Sequence, residues 1–183
     1  MVLAVAAVIV WAVGAPAFIL LWPRITVHGY KQAIVKHGLG GGPIPINTLY
    51  AVPTTASPAE SGAGLMATGA DDLLYVGGWI NLRKGPRVLH VPEMAGRYYS
   101  VQLTDPSESA NFAYVGVRTT GTAAGDFLLS GPGWKGTVPI GFSQISSPNN
   151  SVLVIGRVFV ENDSDLSAAY ALAQQIQLTP LNQ

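Results

Sequence analysis

The chain begins with an apolar segment that carries no charged side chain, from Val2 to Trp22, and this segment ends at Pro23 and Arg24. As an α-helix with a rise of about 1.5 Å per residue, it would reach roughly 30 Å, the thickness of a bilayer's hydrocarbon core. The pattern predicts that residues 1–23 form one transmembrane helix that anchors the protein. Trp22 is expected at the membrane surface, which tryptophan prefers, with Arg24 among the lipid headgroups.

Small residues interrupt this segment at Gly14, Ala15 and Ala17. One interpretation is a cleaved secretory signal, because signal peptidases prefer small residues at the cut. Cleavage there would leave the apolar residues 18–22 on the mature protein, so a retained anchor is favoured. In a retained helix, the small residues predict a close contact with a partner helix, since small side chains let membrane helices approach each other.

Two features of the sequence give opposite predictions for the side of the membrane on which residues 24–183 lie. Arg24, Lys31 and Lys36 follow the apolar segment, and a count of basic residues would keep them in the cytoplasm. Long folded domains, however, cross membranes largely regardless of charge. We favour an anchor in the inner (cytoplasmic) membrane with the folded domain on the periplasmic face.

Residues 24–70 predict a connecting region. Tyr30 and Ile34 lie at helical spacing, which predicts a short juxtamembrane helix over residues 25–37. Glycine and proline dominate residues 38–45 and break regular structure there. Residues 51–70 are rich in Pro, Thr, Ser, Ala and Gly, which predicts an extended loop that wraps over a surface.

Residues 71–183 predict a domain made mainly of β-strands. Short segments of β-branched, aromatic and aliphatic residues are separated by glycine- and proline-rich turns. The predicted strands cover residues 73–82, 87–91, 98–103, 112–118, 127–130 and 152–160. Such regular spacing is typical of an antiparallel β-sandwich or a barrel-like domain.

A C-terminal helix is predicted after the last of these strands. Asp163 or Ser164 is a suitable N-cap, and apolar residues follow at helical spacing from Leu166 to Ile176. Thr179-Pro180 would end the helix. Its apolar stripe is expected to pack on the sheet.

Composition excludes several classes of protein. Ten Lys and Arg residues balance ten Asp and Glu residues, so a strongly basic surface for nucleic acid is not expected. The chain has no cysteine, which excludes disulfides and thiolate metal sites. His28, His37 and His90 are far apart in sequence, so no metal site and no cofactor are predicted.

No arrangement of residues typical of catalysis stands out. A hydrolase elbow of the form Gly-Xaa-Ser-Xaa-Gly does not occur. His90 lies in an apolar strand pattern, where an ordinary strand histidine is more common than a catalytic base. Asp71 and Asp72 would point to opposite faces if they are extended, which separates them as an acid–base pair. No catalytic residue is therefore predicted.

Two arginines interrupt apolar strands, Arg118 and Arg157. Buried arginine requires a charged or polar partner, so one interpretation is a structural ion pair with Asp105 or Asp126.

The other interpretation of these arginines is a binding cleft for a carboxylate or a sugar. Guanidinium groups bind carboxylates with two parallel hydrogen bonds, and aromatic rings stack on sugars and planar groups. The predicted ligand-binding residues are Arg97, Tyr99, Arg118 and Trp134.

An ordered series of short motifs carries a resemblance to a known family. The series is Asp72-Leu73-Leu74-Tyr75, Trp79-Ile80-Asn81-Leu82 with Lys84-Gly85-Pro86, Arg97-Tyr98-Tyr99 with Gln102, Arg118-Thr119-Thr120-Gly121, Gly131-Pro132-Gly133-Trp134-Lys135-Gly136, Ser147-Pro148-Asn149-Asn150, Gly156-Arg157 and Leu178-Thr179-Pro180-Leu181. Across roughly residues 44–181 the chain resembles the bacterial family catalogued as domain of unknown function 1254.

The resemblance implies architecture more than chemistry. It implies a β-sandwich domain that is often exported and often found beside a second uncharacterised domain family, numbered 1214, with a single membrane helix first in short members. No reaction is attached to the family. The family pattern Asn-Xaa-Asp-Thr-Leu-Tyr is altered here to Gly69-Ala70-Asp71-Asp72-Leu73-Leu74-Tyr75, so the asparagine and the threonine are missing.

Two functions remain as hypotheses. The first is a membrane-tethered, non-catalytic β-domain that acts as an accessory subunit, with the lipid bilayer and other membrane subunits or a companion domain protein as partners. The second is a module that binds a small carbohydrate or organic acid, or an uncharacterised enzyme of the cell envelope. Neither hypothesis involves nucleic acid.

Overall fold

The computed structural model describes residues 2–55, 69–108 and 110–181. The elements are helix α1 (Val2–His37), strands β1 (Tyr50–Ala51), β2 (Leu73–Asn81), β3 (Arg87–Val91), β4 (Tyr99–Asp105), β5 (Ala110–Gly116), β6 (Gly125–Ser130), β7 (Ser143–Ser146) and β8 (Ser151–Phe159), helix α2 (Leu166–Ala173) and strand β9 (Gln177–Pro180). A short 3-10 turn, Leu82–Lys84, follows β2.

The strands form two sheets. The five-stranded sheet has the order β1-β2-β8-β4-β5 and is antiparallel throughout. The four-stranded sheet has the order β7-β6-β3-β9, and its β6–β7 pair is parallel. The mainly β prediction is confirmed. The barrel-like alternative is wrong, because neither sheet closes on itself within the described residues.

One hydrophobic core joins the two sheets. On β8, Val152, Val154 and Val158 are buried while the residues between them are partly exposed, apart from Gly156, as expected when successive side chains point to opposite faces. Leu89 and Leu129 of the four-stranded sheet belong to the same core cluster. Burial of these apolar side chains is the main stabilising term of the fold.

The C-terminal helix is present but shorter than predicted. α2 ends at Ala173, and its buried face packs on β2 and β8. The predicted caps are wrong, because Asp165 occupies the N-cap position. The last residues of the predicted helix are instead β9, whose Leu178 pairs with Leu89 of β3.

The N-terminal region is one continuous helix that includes Pro16 and Pro23. The predicted juxtamembrane helix over residues 25–37 is therefore the second half of α1. Among the described residues, no helix combines the length and the apolar character that crossing a membrane requires. The prediction of a transmembrane helix over residues 1–23 is accordingly not supported.

The C-terminal part of α1 and the segment after it cover the outer face of the five-stranded sheet at β2. Ile34 of α1, Ile44 and Trp79 of β2 form a second buried cluster. The Trp79 indole Nε1 donates to Ser151 Oγ at 2.7 Å, and Lys31 Nζ lies 5.6 Å from the Trp79 ring centroid. On the same face of β2, a Cβ added at Gly77 would come within 2.5 Å of Leu39 Cδ1, so the segment after α1 lies close to the sheet there. The predicted wrapping loop over residues 51–70 lies mostly outside the described residues.

Candidate functional site

The outer face of the five-stranded sheet also carries an open groove of about 520 Å³, above β4, β5 and β8. Its lining consists of Tyr98, Tyr99, Ser100, Gln102, Tyr114, Gly116, Val117, Arg118, Thr119 and Arg157. Two arginines and no carboxylate are among these residues. The groove therefore combines a positive charge with polar and aromatic side chains.

Strand register brings residues that are distant in sequence into one row across the groove. Ser100 of β4 lies opposite both Arg157 of β8 and Gly116 of β5. Arg157 in turn lies opposite Tyr75 of β2. A Cβ added at Gly116 would come within 2.6 Å of the Tyr99 carbonyl oxygen, so at this point the floor of the groove is backbone.

Arg157 is held in place by two neighbours. Its Nη1 donates to Gln102 Oε1 at 3.2 Å, and its guanidinium carbon lies 5.9 Å from the Tyr75 ring centroid. A cation over an aromatic face is stabilised by about 0.5–1 kcal/mol or more. The side chain is partly exposed. It is thus restrained while still able to reach a ligand.

The alternative of a structural ion pair for Arg118 or Arg157 is not found in the part of the chain that the structure describes. Asp126 instead accepts a hydrogen bond from His90 Nδ1 at 2.8 Å. Asp105 accepts hydrogen bonds from the backbone and the side chain of Ser107. Both carboxylates predicted as partners of the arginines are therefore engaged elsewhere.

A chain of hydrogen bonds fixes the orientation of Gln102. Its Nε2 donates to Thr104 Oγ1 at 3.1 Å and to Asn111 Oδ1 at 2.9 Å, and Asn111 Nδ2 donates to the Tyr114 hydroxyl at 2.7 Å. Because the amide nitrogen is used in this way, the Gln102 oxygen points to Arg157. Residues on β4 and β5 thereby help to position the arginine on β8.

Arg97, a predicted ligand-binding residue, is engaged in the fold. Its Nη1 and Nη2 donate to the two carboxylate oxygens of Asp165 at 2.5 and 2.6 Å, and Nη1 also donates to the Phe159 carbonyl at 2.7 Å. The hydrogen bonds from Arg97, assisted by the backbone N–H of Glu161, lower the pKa of Asp165 to about 2. Arg97 joins the strand region to the start of α2 and does not line the groove.

The other three predicted residues are placed differently. Tyr99 borders the groove, but its side chain is 1% exposed and belongs to the core, and its hydroxyl has no hydrogen-bond partner among the described residues. Arg118 is exposed and lines the groove. Trp134 lines a separate groove beside Leu82 and Asn150. The structure thus brings Tyr99 and Arg118 to one groove and separates Arg97 and Trp134 from it.

Sequence reasoning noted Arg157 but did not assign it to the site, and it missed Gln102 and Tyr114. These residues lie on three different strands and meet only through the sheet register. Outward-facing polar residues at alternate positions of β4 were the available signal. The described residues contain no group of three metal-ligating side chains.

Comparisons with known proteins identify relatives but no activity. A family model described as "Protein of unknown function (DUF1254)" matches residues 46–180. The fold is similar to that of the VPA0106 protein from Vibrio parahaemolyticus, with a TM-score of 0.64 and 24% identity over 85% of this chain and 35% of that one. An uncharacterized protein from Burkholderia cenocepacia matches with a TM-score of 0.42 and 14% identity over 67% of this chain and 36% of that one. The chain thus spans about a third of the length of each. No curated protein matches.

Proposed function

The chain belongs to the DUF1254 family of proteins of unknown function, and from that premise we propose that it is a non-catalytic accessory domain that is tethered to a membrane through α1 and docks on a companion membrane subunit. The proposal places the folded domain on the periplasmic face of the inner membrane. No reaction is part of it.

The observation that carries the proposal is a cluster of large apolar side chains on the surface of α1. Its members, between 49% and 68% exposed, are Phe18, Ile19, Leu21, Trp22 and Ile25. Single exposed apolar residues are normal on protein surfaces, whereas a contiguous patch marks a contact with a membrane or another protein. We call this cluster the α1 apolar patch.

The two ends of α1 make different contacts. Ile34 near its C-terminal end is 2% exposed against the sheet, whereas the α1 apolar patch projects away from that contact. Within the patch, the Phe18 and Trp22 rings are 4.9 Å apart, one helical turn from each other. Arg24 follows directly, and an aromatic residue next to a basic one is typical of a membrane surface. A helix fixed to the domain at one end and apolar at the other suits a tether.

Binding to lipid vesicles tests the tether. We expect the full chain to float with vesicles of phosphatidylcholine and phosphatidylglycerol in a density gradient. The double variant Phe18→Ser/Trp22→Ser should bind at least tenfold more weakly, because burying each large apolar side chain is worth about 1.5–3 kcal/mol. Ile140→Ser is the matched control, since Ile140 is fully exposed but lies outside α1. Equal flotation of the double variant and the control would refute the proposal.

A second experiment tests docking on the companion subunit. The proposed contact consists of Gly14, Ala15 and Ala17. Gly14 is exposed, and a Cβ added there would meet open space beyond its own helical turn. The side chain of Ala17 is not among those that the structure describes. Gly14→Leu should weaken association, because a bulky residue prevents close helix packing. The unfolding of the β-domain should stay unchanged.

The measurement is the size of the complex after extraction in a mild detergent, with mass spectrometry of its components. Gly29→Leu serves as the control, because Gly29 also lies on α1 and also has open space at its Cβ. A monodisperse monomer for the unaltered chain would contradict docking. An unchanged complex with Gly14→Leu would leave α1 with the role of a tether alone.

A further inference from the structure

We propose that the groove above β4, β5 and β8 binds a small organic carboxylate, with Arg157 as the group that holds the carboxylate and Arg118 as a second cation at the rim. The proposal is independent of docking through α1, because the two surfaces share no residue. It differs from the cleft that the sequence predicts, since Arg97 and Trp134 take no part.

Arg157 has hydrogen-bonding capacity that the fold does not use. A guanidinium has five N–H donors. Among the described residues, Arg157 donates one side-chain hydrogen bond, from Nη1 to Gln102 Oε1, and it forms no ion pair. Donors remain for the two parallel hydrogen bonds that a planar carboxylate accepts.

The lining of the groove carries an excess of positive charge. Arg157 is partly buried on the central strand of its sheet, and no described carboxylate neutralises it. A partly buried charge loses hydration, and a counter-charge in contact with it offsets that loss. Arg118 adds a second positive charge to the same lining. An anionic ligand therefore fits the groove better than a neutral sugar.

The rigidity of the Arg157 side chain favours ligand binding. The bond from Gln102 and the Tyr75 ring restrain the Arg157 side chain before any ligand arrives. Gln102 is itself held by Thr104 and Asn111. A cation that is already positioned loses less conformational entropy when it binds a ligand. This arrangement also favours the planar geometry of a carboxylate, for which arginine is better suited than lysine.

The aromatic side chains of the groove indicate the chemistry of the rest of the ligand. Tyr98 and Tyr114 are 39% and 44% exposed and flank the groove. Aromatic rings provide flat apolar surfaces for a ring or a short hydrocarbon chain. A volume of about 520 Å³ lies within the range of small-molecule sites. The chemical class is thus a small carboxylate with an apolar or cyclic body.

Calorimetric titration of the full chain with benzoate tests the proposal, with benzamide as the neutral isostere and inorganic phosphate and glucose as the other probes. We expect saturable binding of benzoate and at least tenfold weaker binding of the other three. Arg157→Gln should weaken benzoate binding by tenfold or more, because hydrogen bonds to a charged group are lost. Arg83→Gln should leave it unchanged, since Arg83 is an exposed arginine of the separate groove.

Arg118→Gln and Arg157→Lys test the same site independently of Arg157→Gln. Arg118→Gln alters an exposed residue, so it is expected to fold and to weaken benzoate binding severalfold even if Arg157→Gln fails to fold. Arg157→Lys keeps the charge but not the planar fork and should recover only part of the affinity. No saturable benzoate binding, equal binding of benzamide, phosphate or glucose, or full affinity in both Arg157→Gln and Arg118→Gln would overturn the proposal.

Discussion

Replacing Trp79 with alanine is expected to lower the free energy of unfolding by about 3–5 kcal/mol, the usual cost of removing a large buried aromatic side chain. Trp79 is 1% exposed and forms the centre of the cluster with Ile34 and Ile44. The change also removes the hydrogen bond to Ser151 Oγ and the contact with Lys31. Since this cluster attaches α1 to the sheet, the contact between α1 and β2 should lose more stability than the rest of the fold.

Urea unfolding measures the global effect, and limited proteolysis of residues 38–49 measures the local one. Faster cleavage there would show that the segment between α1 and β1 has lost its contact with β2. Trp134→Ala is the control, because Trp134 is half-buried and lies in the separate groove. Equal losses of stability in the two variants would contradict the assigned role of the Trp79 cluster.

Acid pH is expected to remove the stabilisation that Asp165 provides. The pKa of Asp165 in the folded protein is about 2, below its ordinary value of 3.8, because Arg97 donates two hydrogen bonds to its carboxylate. A carboxyl whose folded pKa is lowered stabilises the protein above its unfolded pKa and loses that effect as the pH falls through its folded pKa. The stabilisation is present above about pH 4 and is lost as the pH falls toward about 2.

Urea unfolding of the native chain and of Asp165→Asn over this pH range tests the expectation. The native chain should be the more stable of the two at about pH 5, and the difference should shrink toward pH 2. Asp163→Asn is the matched control, since Asp163 is an exposed carboxylate of the same turn. A difference between the native chain and Asp165→Asn that does not depend on pH would contradict the role of the charged pair.

The strands that the sequence predicts correctly are those with strong apolar patterns. The prediction over residues 87–91 coincides with β3 (Arg87–Val91), and that over residues 152–160 differs from β8 (Ser151–Phe159) by one residue at each end. In these strands the positions of the apolar side chains indicate which face is buried. The apolar composition and the turn residues were thus enough to identify the mainly β class.

The strands that the sequence missed are short and lie at sheet edges or near them. β1 (Tyr50–Ala51), β7 (Ser143–Ser146) and β9 (Gln177–Pro180) carry little apolar alternation. Each is a strand because its backbone hydrogen-bonds to a neighbour that comes from a distant part of the chain. A sequence pattern has no signal for such a partner, since every residue except proline offers the same backbone N–H and C=O groups.

At the candidate site too, the roles of the arginines depend on contacts that the sequence does not reveal. Arg97 and Arg157 look alike in sequence, as basic residues beside apolar strands. Arg97 meets Asp165 from the turn before α2, whereas Arg157 meets the Gln102 amide and the Tyr75 ring. Which arginine is left without a counter-charge depends on which residues the fold brings within hydrogen-bonding distance.

By itself, the sequence determined the mainly β class, the positions of the long strands and the presence of a C-terminal helix, because burial of one face imposes a repeat on the residues of each element. The tertiary structure alone decided the pairing of the strands, the burial of Trp79 beneath α1 and the row of residues that forms the groove. These features depend on contacts between residues far apart in the chain. Such contacts are fixed by packing in three dimensions and leave no local pattern.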